Sequence, residues 1–267
     1  MDKQQIFQKA KSWVLEAGKH IRENIGEPLH IETKSNPDDL VTQMDQDTEQ
    51  FFADKIRTEY PEHRLFGEEG MGDDIFDLNG VVWIVDPIDG TMNFVHQQQN
   101  FAISVGVFED GVGEIGIIYD VMNDNLYTAV RDEGAHLNGK LLPGLSVERP
   151  LKRSIFSLNT TWLLDENKRV DAKGIRELVK RLRSTRSYGS AALEFAYVAE
   201  GLLDGYVTMS LMPWDIAAGK VIVEEVGGVV TTGDGKPLSM LDRTSVCATR
   251  ANIHEEVSTT YISLKEE

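Results

Sequence analysis

An apolar run that ends in two closely spaced aspartates is the stretch of this chain best suited to chemistry. Residues 81–85 read Val-Val-Trp-Ile-Val and predict a buried strand that Asp86 stops abruptly. Pro87 fixes the backbone after it, and Asp89 follows the first aspartate by three residues, so two carboxylates share one turn. Hard cations take carboxylate and carbonyl oxygens as ligands. The turn therefore indicates a cation site, although an ordinary aspartate-rich turn with a helix cap has the same sequence.

Two further acids and a short glycine turn strengthen this interpretation. Gly90 and Thr91 open a short helical turn, and the free N–H groups at a helix start suit a phosphate group. Glu68 lies in a Gly-Glu-Glu-Gly turn before the strand, and Asp215 follows a tryptophan at the start of a predicted helix. Each acid alone is equally consistent with a solvated loop residue or a helix N-cap. Only their joint occurrence points to a shared site.

These residues need a scaffold, and the spacing of apolar residues predicts a layered α/β protein with mostly antiparallel strands. Helical spacing predicts helices over residues 4–25, 43–59, 172–183, 191–203 and 216–226. β-rich segments predict strands over residues 81–85, 101–108, 114–121, 125–131, 205–209, 229–232 and 245–248. A turn is predicted at 35–39. The whole chain, 1–267, is expected to form one domain, with a soft boundary near 143–155 between two packed halves.

The composition narrows the class of protein. Asp and Glu number 44 against 27 Lys and Arg, which gives a formal net charge of −17. Such a surface repels nucleic acids and anionic membranes, so neither is an expected partner, and an anionic substrate would need a cation at the site. The lone cysteine, Cys247, excludes an intrachain disulfide. No apolar run approaches transmembrane length and the first residues lack a signal-peptide core, so a cytoplasmic protein is expected.

Taken in order along the chain, the motifs resemble those of the inositol monophosphatase family, within the lithium-sensitive, magnesium-dependent phosphatase superfamily. The matching pieces are Lys34-Ser35, Asp39 to Thr42 with Asp45, Gly67-Glu68-Glu69, Trp83 to Phe94, Gly189 to Ala192, and Trp214-Asp215 followed by Gly227-Gly228. They span almost the whole chain. The resemblance implies a layered αβαβα sandwich of the inositol monophosphatase and fructose-1,6-bisphosphatase type, usually assembled as a homodimer.

The resemblance also implies a set of Mg²⁺ ligands. Glu68, Asp86 and the Ile88 carbonyl would hold a first ion, and Asp86, Asp89 and Asp215 a second, with a third and weaker ion at Glu68. This agrees with the charges, because clustered carboxylates repel one another unless a cation neutralises them. Two or three Mg²⁺ ions per site are therefore expected, and they would also allow an anionic substrate to bind a protein of charge −17.

Catalytic and substrate-binding roles follow from the same resemblance. Thr91, paired with Asp45, would orient the attacking water, and Lys34 would approach the metal and phosphate as a cation, although a solvated loop lysine is an equal alternative. Glu68 completes the catalytic set. The expected substrate contacts are Glu68, Ile88, Asp89, Gly90, Thr91, Gly189, Ser190, Ala191, Thr208 and Asp215.

One position departs from the animal members of the family. They place an acid seven residues before the second-metal aspartate, where it hydrogen-bonds the inositol ring, and this chain has Thr208 there. Mg²⁺-dependent hydrolysis of phosphate monoesters is therefore predicted, with inositol 1-phosphate as one substrate and NADP, sugar phosphates or other nucleotides as alternatives. Because some bacterial relatives look like partners of the transcription machinery, an interaction protein with secondary phosphatase activity is a further alternative.

Overall fold

Helices and sheets alternate along the computed structural model of this protein, which describes residues 2–26, 31–33 and 40–265. The helices are α1 (Lys3–Asn24), α2 (Gln43–Glu59), α3 (Thr91–Gln97), α4 (Ala172–Arg181), α5 (Ala191–Glu200), α6 (Pro213–Glu225) and α7 (Ala251–Thr260). The strands of the first half are β1 (Ile31–Thr33), β2 (Leu40–Thr42), β3 (Arg64–Gly67), β4 (Val81–Asp89), β5 (Ala102–Glu109), β6 (Val112–Asp120), β7 (Asn125–Val130), β8 (Ala135–Leu137) and β9 (Lys140–Leu141). Those of the second half are β10 (Ile155–Leu158), β11 (Ser184–Arg186), β12 (Gly205–Leu211), β13 (Gly228–Thr231) and β14 (Thr244–Arg250).

Two large mixed sheets form the frame. The seven-stranded sheet runs β3-β4-β5-β6-β7-β8-β9 and is antiparallel except for the β3–β4 pair. The five-stranded sheet runs β11-β10-β12-β14-β13, with parallel pairing of β10 to both β11 and β12. β1 and β2 make a separate antiparallel pair. The prediction of mostly antiparallel pairing, including the β5–β6–β7 meander, is confirmed.

The helices and sheets form five layers, and three apolar clusters fill the space between them. α1 and α2 pack on one face of the seven-stranded sheet, α5 and α6 lie between the two sheets, and α4 and α7 cover the outer face of the five-stranded sheet. The first five residues of β4 are all apolar because both faces of the strand are covered: Val82 and Ile84 face the middle helices, and Trp83 and Val85 face the outer ones. The αβαβα order implied by the family resemblance is the order observed.

The bounds of most helices agree with the predicted ones to within a few residues. α2 begins where expected because Thr42 and Asp45 form a capping box at its start. α5 ends at Glu200, before the predicted residue 203, because Gly201 adopts φ 81° and caps it. α6 begins at Pro213 instead of residue 216, so Asp215 lies inside its first turn. Helix α7 was not predicted, although its buried residues Ile253 and Val257 have helical spacing.

The prediction that Asp86 stops its strand is wrong. β4 continues to Asp89 and pairs with β5 on both sides of a register shift, Asp86 opposite Ser104 and Asp89 opposite Ala102. Three steps along β4 match two along β5, so one extra residue forms a bulge. In a regular strand, residues three apart face opposite sides. The extra residue therefore turns both aspartates toward the same side.

The middle helices lie very close to their neighbours. A Cβ on Gly219 of α6 would be 2.3 Å from Cγ of Phe195 on α5, and a Cβ on Gly116 of β6 would be 2.5 Å from the Ala218 carbonyl oxygen. Because these glycines have no side chain, the backbone of α6 packs directly against the Phe195 side chain of α5 and against the backbone of β6 in the seven-stranded sheet. Because Asp215 lies in the first turn of α6, this packing also fixes the position of its carboxylate.

We expect Gly219→Ala to lower the free energy of unfolding by about 1–2 kcal/mol. Overpacking of a full core costs roughly 1–3 kcal/mol, and the better helix propensity of alanine returns about 1 kcal/mol at most. Urea unfolding followed by circular dichroism measures the change. Gly144→Ala is the control, because its Cβ would have only an ordinary contact, 3.8 Å from the Val226 carbonyl oxygen. Equal stability of both variants and the wild type would contradict the packing argument.

Candidate metal centre and adjoining cavity

Three aspartates from two elements converge at the start of the middle helix α6. Asp86 and Asp89 come from the bulged end of β4, and Asp215 comes from the first turn of α6. One carboxylate oxygen from each lies within 4.8 Å of the others. Asp86 is 1% exposed and Asp89 is 5% exposed, while Asp215 is half-buried beside the cavity. The bulge in β4 is what allows two of the three to point the same way.

Backbone and hydroxyl donors fix the orientation of each carboxylate. Asp86 Oδ1 accepts a hydrogen bond from the Ile88 N–H at 3.0 Å, and Asp215 Oδ2 accepts one from the Met212 N–H at 2.7 Å. Asp89 Oδ2 accepts one from the Ser190 hydroxyl and another from the Ala192 N–H at 2.8 Å. Among the described residues, no hydrogen bond reaches the second oxygen of these three groups. Each carboxylate is thus oriented and still offers an oxygen as a ligand.

Without a cation, burial and mutual repulsion both disfavour the charged forms of the three carboxylates. Burial, followed by the charges of Glu68 and Asp89, raises the pKa of Asp86 well above its usual value. Burial and then the charge of Asp89 act in the same direction on the pKa of Asp215. Burial raises the pKa of Asp89 to about 7. An all-oxygen, buried and mutually repelling set of ligands is the kind that Mg²⁺ takes.

Asp45 and Thr91 form a second polar pair beside the cluster. Asp45 Oδ2 accepts hydrogen bonds from the Thr42 N–H at 2.9 Å and the Thr42 hydroxyl at 2.5 Å, while the Thr91 Oγ1 lies 3.2 Å from Asp45 Oδ1. Thr91 Oγ1 also lies 3.1 Å from the Ile88 carbonyl oxygen. A hydroxyl has one hydrogen to donate, and both neighbours are acceptors. Only one of the two can receive this hydrogen at a time, and Oγ1 keeps a lone pair that can accept a hydrogen bond from a bound water.

Gly90 is required where the chain turns from β4 into α3. Its φ is 93°, and an added Cβ would lie 3.1 Å from Ser190 Cβ and 3.2 Å from the Gly189 carbonyl oxygen. The next residue, Thr91, begins α3, whose first N–H groups have no partner within the helix. The turn predicted at Gly90-Thr91 is confirmed as the start of a helix.

Glu68 follows β3 and is held near the cluster by a residue that the sequence did not single out. Its charge contributes to the raised pKa of each clustered aspartate. Glu49 is fully buried in α2, and its carboxylate accepts hydrogen bonds from the Glu69 N–H at 2.6 Å and the Met71 N–H at 2.8 Å. A Cβ on Gly67 would be 2.4 Å from the Glu49 carboxyl carbon. The available signal was the spacing of Glu49, one helical turn after Asp45.

A cavity of about 290 Å³ opens beside the aspartates. Predicted site residues in its lining are Asp89, Gly189, Ser190, Ala191, Thr208 and Asp215. The rest of the lining consists of residues that the sequence did not single out as site residues: Asn159, Trp162, Ser187, Glu194, Tyr206, Ser210 and Leu211. Asn159 and Trp162 belong to a short 3₁₀ segment that has no periodicity to detect. Thr208 faces the cavity, as its predicted role requires. Lys34 and the predicted 35–39 turn lie outside the described residues.

The wall of the cavity at 187–190 is attached to both halves of the chain. Asn93 Nδ2 donates to the Tyr188 carbonyl at 2.7 Å and to the Asn100 carbonyl at 2.8 Å. Glu194 Oε1 accepts from the Tyr188 N–H at 2.8 Å. Together with the bond from Ser190 to Asp89, these contacts join segments on opposite sides of the 143–155 boundary.

In the part of the chain that the structure describes, no helix combines the length and the apolar character needed to cross a membrane.

Comparison with known proteins gives consistent matches over nearly the full length. The model of the inositol monophosphatase family matches residues 2–264. An inositol-1-monophosphatase of Bacillus subtilis is 52% identical over 262 residues, which cover 98% of each chain. A protein of Escherichia coli named Nus factor SuhB is 35% identical over 250 residues, covering 91% of this chain and 93% of its own.

Solved structures of related enzymes share the fold. A staphylococcal inositol monophosphatase II bound to inositol monophosphate superposes with a TM-score of 0.85 at 40% identity, covering 96% of this chain and 93% of its own. A staphylococcal inositol monophosphatase 1 in a lithium chloride inhibitory complex superposes with a TM-score of 0.89 at 31% sequence identity, and the match covers 97% of this chain and 95% of its own. An inositol monophosphatase/NADP phosphatase with Mg²⁺ and phosphate superposes with a TM-score of 0.87 at 32% sequence identity, and the match covers 97% of this chain and 96% of its own.

We expect Mg²⁺ to stabilise the protein, and to do so most at alkaline pH. The folded pKa values of about 7 for Asp89 and about 6 for Asp45 lie above the usual 3.8. At pH values between the usual 3.8 and the raised pKa, the folded chain binds more protons than the unfolded chain. The free energy of unfolding of the metal-free protein therefore falls as the pH rises from about 4 to about 7. Mg²⁺ at about 100 times its Kd should add about 2.7 kcal/mol.

Thermal melting in EDTA and in millimolar Mg²⁺, at about pH 5.5 and pH 8, measures both effects. The melting temperature in EDTA should be lower at pH 8, and Mg²⁺ should raise it there by roughly 5–10 °C. Asp54→Asn, which changes an exposed aspartate of α2, should behave as the wild type does. A melting temperature in EDTA that is equal at both pH values would contradict the raised pKa values.

Proposed function

The chain belongs to the inositol monophosphatase family and is a phosphomonoesterase, and we propose how the described site hydrolyses inositol 1-phosphate and related monoesters. The observation that carries the proposal is the assembly of Asp86, Asp89 and Asp215 within 4.8 Å at the edge of a cavity that also contains Thr208. The names of the relatives support the substrate class, since the Bacillus subtilis protein is an inositol-1-monophosphatase and one staphylococcal structure holds inositol monophosphate.

The oxygen ligands are those expected of a magnesium site. Glu68, Asp86 and the Ile88 carbonyl would hold one Mg²⁺, and Asp86 would share a second with Asp89 and Asp215, with a third and weaker ion near Glu68. The related structure that contains Mg²⁺ and phosphate supports the identity of the ion. When bound, Mg²⁺ lowers the pKa of water and offsets charge on phosphoryl oxygens.

The residues around this site can direct an in-line attack. Thr91 Oγ1, which lies beside Asp45 and the Ile88 carbonyl, would accept a hydrogen bond from the attacking water and so orient the water oxygen toward phosphorus. The N–H groups of Gly90 and Thr91 would bind phosphoryl oxygens. The new bond joins the water oxygen to phosphorus, and the bond from phosphorus to the alcohol oxygen breaks. One proton of the water passes through solvent to the alcohol oxygen, so the products are the free alcohol and hydrogen phosphate. Lys34 is proposed, from the sequence alone, to add a positive charge.

The alcohol part of the substrate would occupy the cavity. The turn of Gly189, Ser190 and Ala191 would contact it on one side and Thr208 on another. Because Ser190 hydrogen-bonds Asp89 directly, substrate contacts and metal ligands share one framework. We propose on this basis that 1–267 acts as one domain. A homodimer, expected from the family, remains part of the proposal.

An interaction role is the alternative function. The Escherichia coli relative named as a Nus factor favours it, although hydrolysis and binding can coexist in one chain. The complete set of ligands favours the enzyme, since a binding surface alone would not require buried carboxylates that repel one another.

We predict that Asp86→Asn lowers kcat/KM by about 10³-fold or more while the protein remains folded. An amide carries no charge and cannot replace a carboxylate shared by two ions, and loss of one electrostatic stabiliser already costs roughly 10²–10³-fold in other enzymes. Phosphate release from inositol 1-phosphate in Mg²⁺ is measured, with circular dichroism as the check on folding. Asp54→Asn is the matched control. Near-wild-type turnover by folded Asp86→Asn would falsify the metal assignment.

Thr208 is predicted to set substrate selectivity. A charge-assisted hydrogen bond contributes about 1.5–3 kcal/mol and a neutral one about 0.5–1.5 kcal/mol, so Thr208→Glu should favour inositol 1-phosphate by roughly tenfold. The new carboxylate should also repel an anionic substrate. The ratio of kcat/KM for inositol 1-phosphate to that for NADP should therefore rise. Thr208→Val, which keeps the shape without adding a charge, is the control. An active Thr208→Glu enzyme with an unchanged ratio would remove Thr208 from the substrate-binding surface.

A further inference from the structure

Arg243 lies at the edge of the cavity that adjoins the metal centre. It belongs to the exposed segment before β14, and its Nη1 donates a hydrogen bond to the Ser210 hydroxyl at 3.0 Å. Ser210 is itself part of the cavity lining, on the same strand as Thr208. The guanidinium thus contacts the wall that a bound substrate would face.

A bulge in β12 lies beside this contact. Thr208 pairs with Val246 and Leu211 with Thr244, so three steps along β12 match two along β14. The extra residue adds Leu211 to the cavity lining that already contains Thr208 and Ser210, where a regular strand would present alternate residues only. Ser210 both lines the cavity and accepts the hydrogen bond from Arg243.

The charges of the cavity make this arginine distinctive. Among the described residues, the lining contains the carboxyl groups of Asp89, Glu194 and Asp215 and neither Lys nor Arg. Burial is the main cause that raises the pKa of Asp215, and the positive charge of Arg243 opposes it, so the guanidinium is within electrostatic reach of the metal centre. Within the described part of the chain, an anionic group in this cavity would be repelled by these carboxyl groups and attracted toward Arg243.

Most of the hydrogen-bonding capacity of Arg243 is uncommitted. Its bond to Ser210 uses one N–H, and within the described residues it forms no ion pair. A guanidinium presents several donors in a planar fork that matches two oxygens of a phosphate or carboxylate. The bond to Ser210 holds one edge of the fork and leaves the rest exposed to solvent.

We infer that Arg243 and Ser210 form a second anion subsite, which binds a phosphate or carboxylate on the part of the substrate that is not hydrolysed. The inference rests on the proposed function, and it extends the substrate class to monoesters that carry a further anionic group. The scissile phosphate would lie at the aspartates, and the second anion would reach the rim at Ser210. Thr208 lies on the same strand as Ser210 and lines the same cavity, and, being neutral, would not repel such a substrate.

The test compares two esters that share one hydrolysable phosphate. 2′-AMP and NADP both carry an adenosine 2′-phosphate, and NADP adds an anionic pyrophosphate that a monoesterase leaves intact. We expect Arg243→Gln to lower kcat/KM for NADP by about fivefold to tenfold, between the contributions of exposed and charge-assisted pairs, and to change that for 2′-AMP by less than about twofold. The wild-type preference for NADP over 2′-AMP should also decrease with added salt, because an exposed ion pair is screened.

Two further variants serve as controls. Arg243→Lys keeps the charge without the planar fork and should retain part of the activity on NADP. Arg181→Gln removes the same charge from the exposed end of α4, on the far side of the five-stranded sheet, and should leave both substrates unchanged.

The outcomes separate this inference from the proposed function. An Arg243→Gln enzyme with an unchanged NADP to 2′-AMP ratio overturns the anion subsite. An equal loss on both esters also overturns it, because Arg243 would then act on the metal centre through Asp215. Wild-type activity on inositol 1-phosphate with none on either adenosine ester overturns the subsite and leaves the phosphatase intact. Absence of Mg²⁺-dependent hydrolysis of all three overturns the proposed function itself.

Discussion

Repulsion among buried carboxylates is the constraint on which the rest of this structure depends. Asp86, Asp89 and Asp215 lie together in a place where burial already disfavours their charged forms. Left alone, such side chains would turn apart or take up protons. Backbone N–H groups and the Ser190 hydroxyl instead hold one oxygen of each, so the surrounding fold opposes the repulsion until a cation offsets it.

One helix organises much of this support. Asp45 and Glu49 lie one turn apart on the buried face of α2, and each accepts hydrogen bonds from a different loop. Asp45 contacts Thr91 at the start of α3, whereas Glu49 binds the backbone that follows Glu68. Displacement of α2 would therefore disturb both loops at once. The second half of the chain contributes in the same way through Ser190, which caps α5 and binds Asp89 with the same hydroxyl.

The sequence predicted the chemistry better than the geometry that supports it. The family, the layered fold and the convergence of Asp86, Asp89 and Asp215 could be inferred, because motif spacing and apolar periodicity are local properties of the chain. The end of β4 could not, since a bulge is defined by the register of its partner strand. Glu49 and Trp162 were missed for a related reason. The importance of Glu49 comes from the loop it binds, which its helical spacing after Asp45 does not reveal, and Trp162 lies in a short 3₁₀ segment with no periodicity.

The two bulges have a consequence for how this site can change over time. Each lies at the edge of the site, in β4 between Asp86 and Asp89 and in β12 between Thr208 and Leu211, and each depends on one surplus residue. Exchange of a side chain there alters an interaction, whereas deletion of a single codon would rotate every following side chain to the opposite face of the sheet. Apart from the metal ligands themselves, we therefore expect these two segments to tolerate changes of residue better than changes of length. New specificities in such a lineage should arise by point substitution along β12, at constant spacing, more readily than by insertion or deletion.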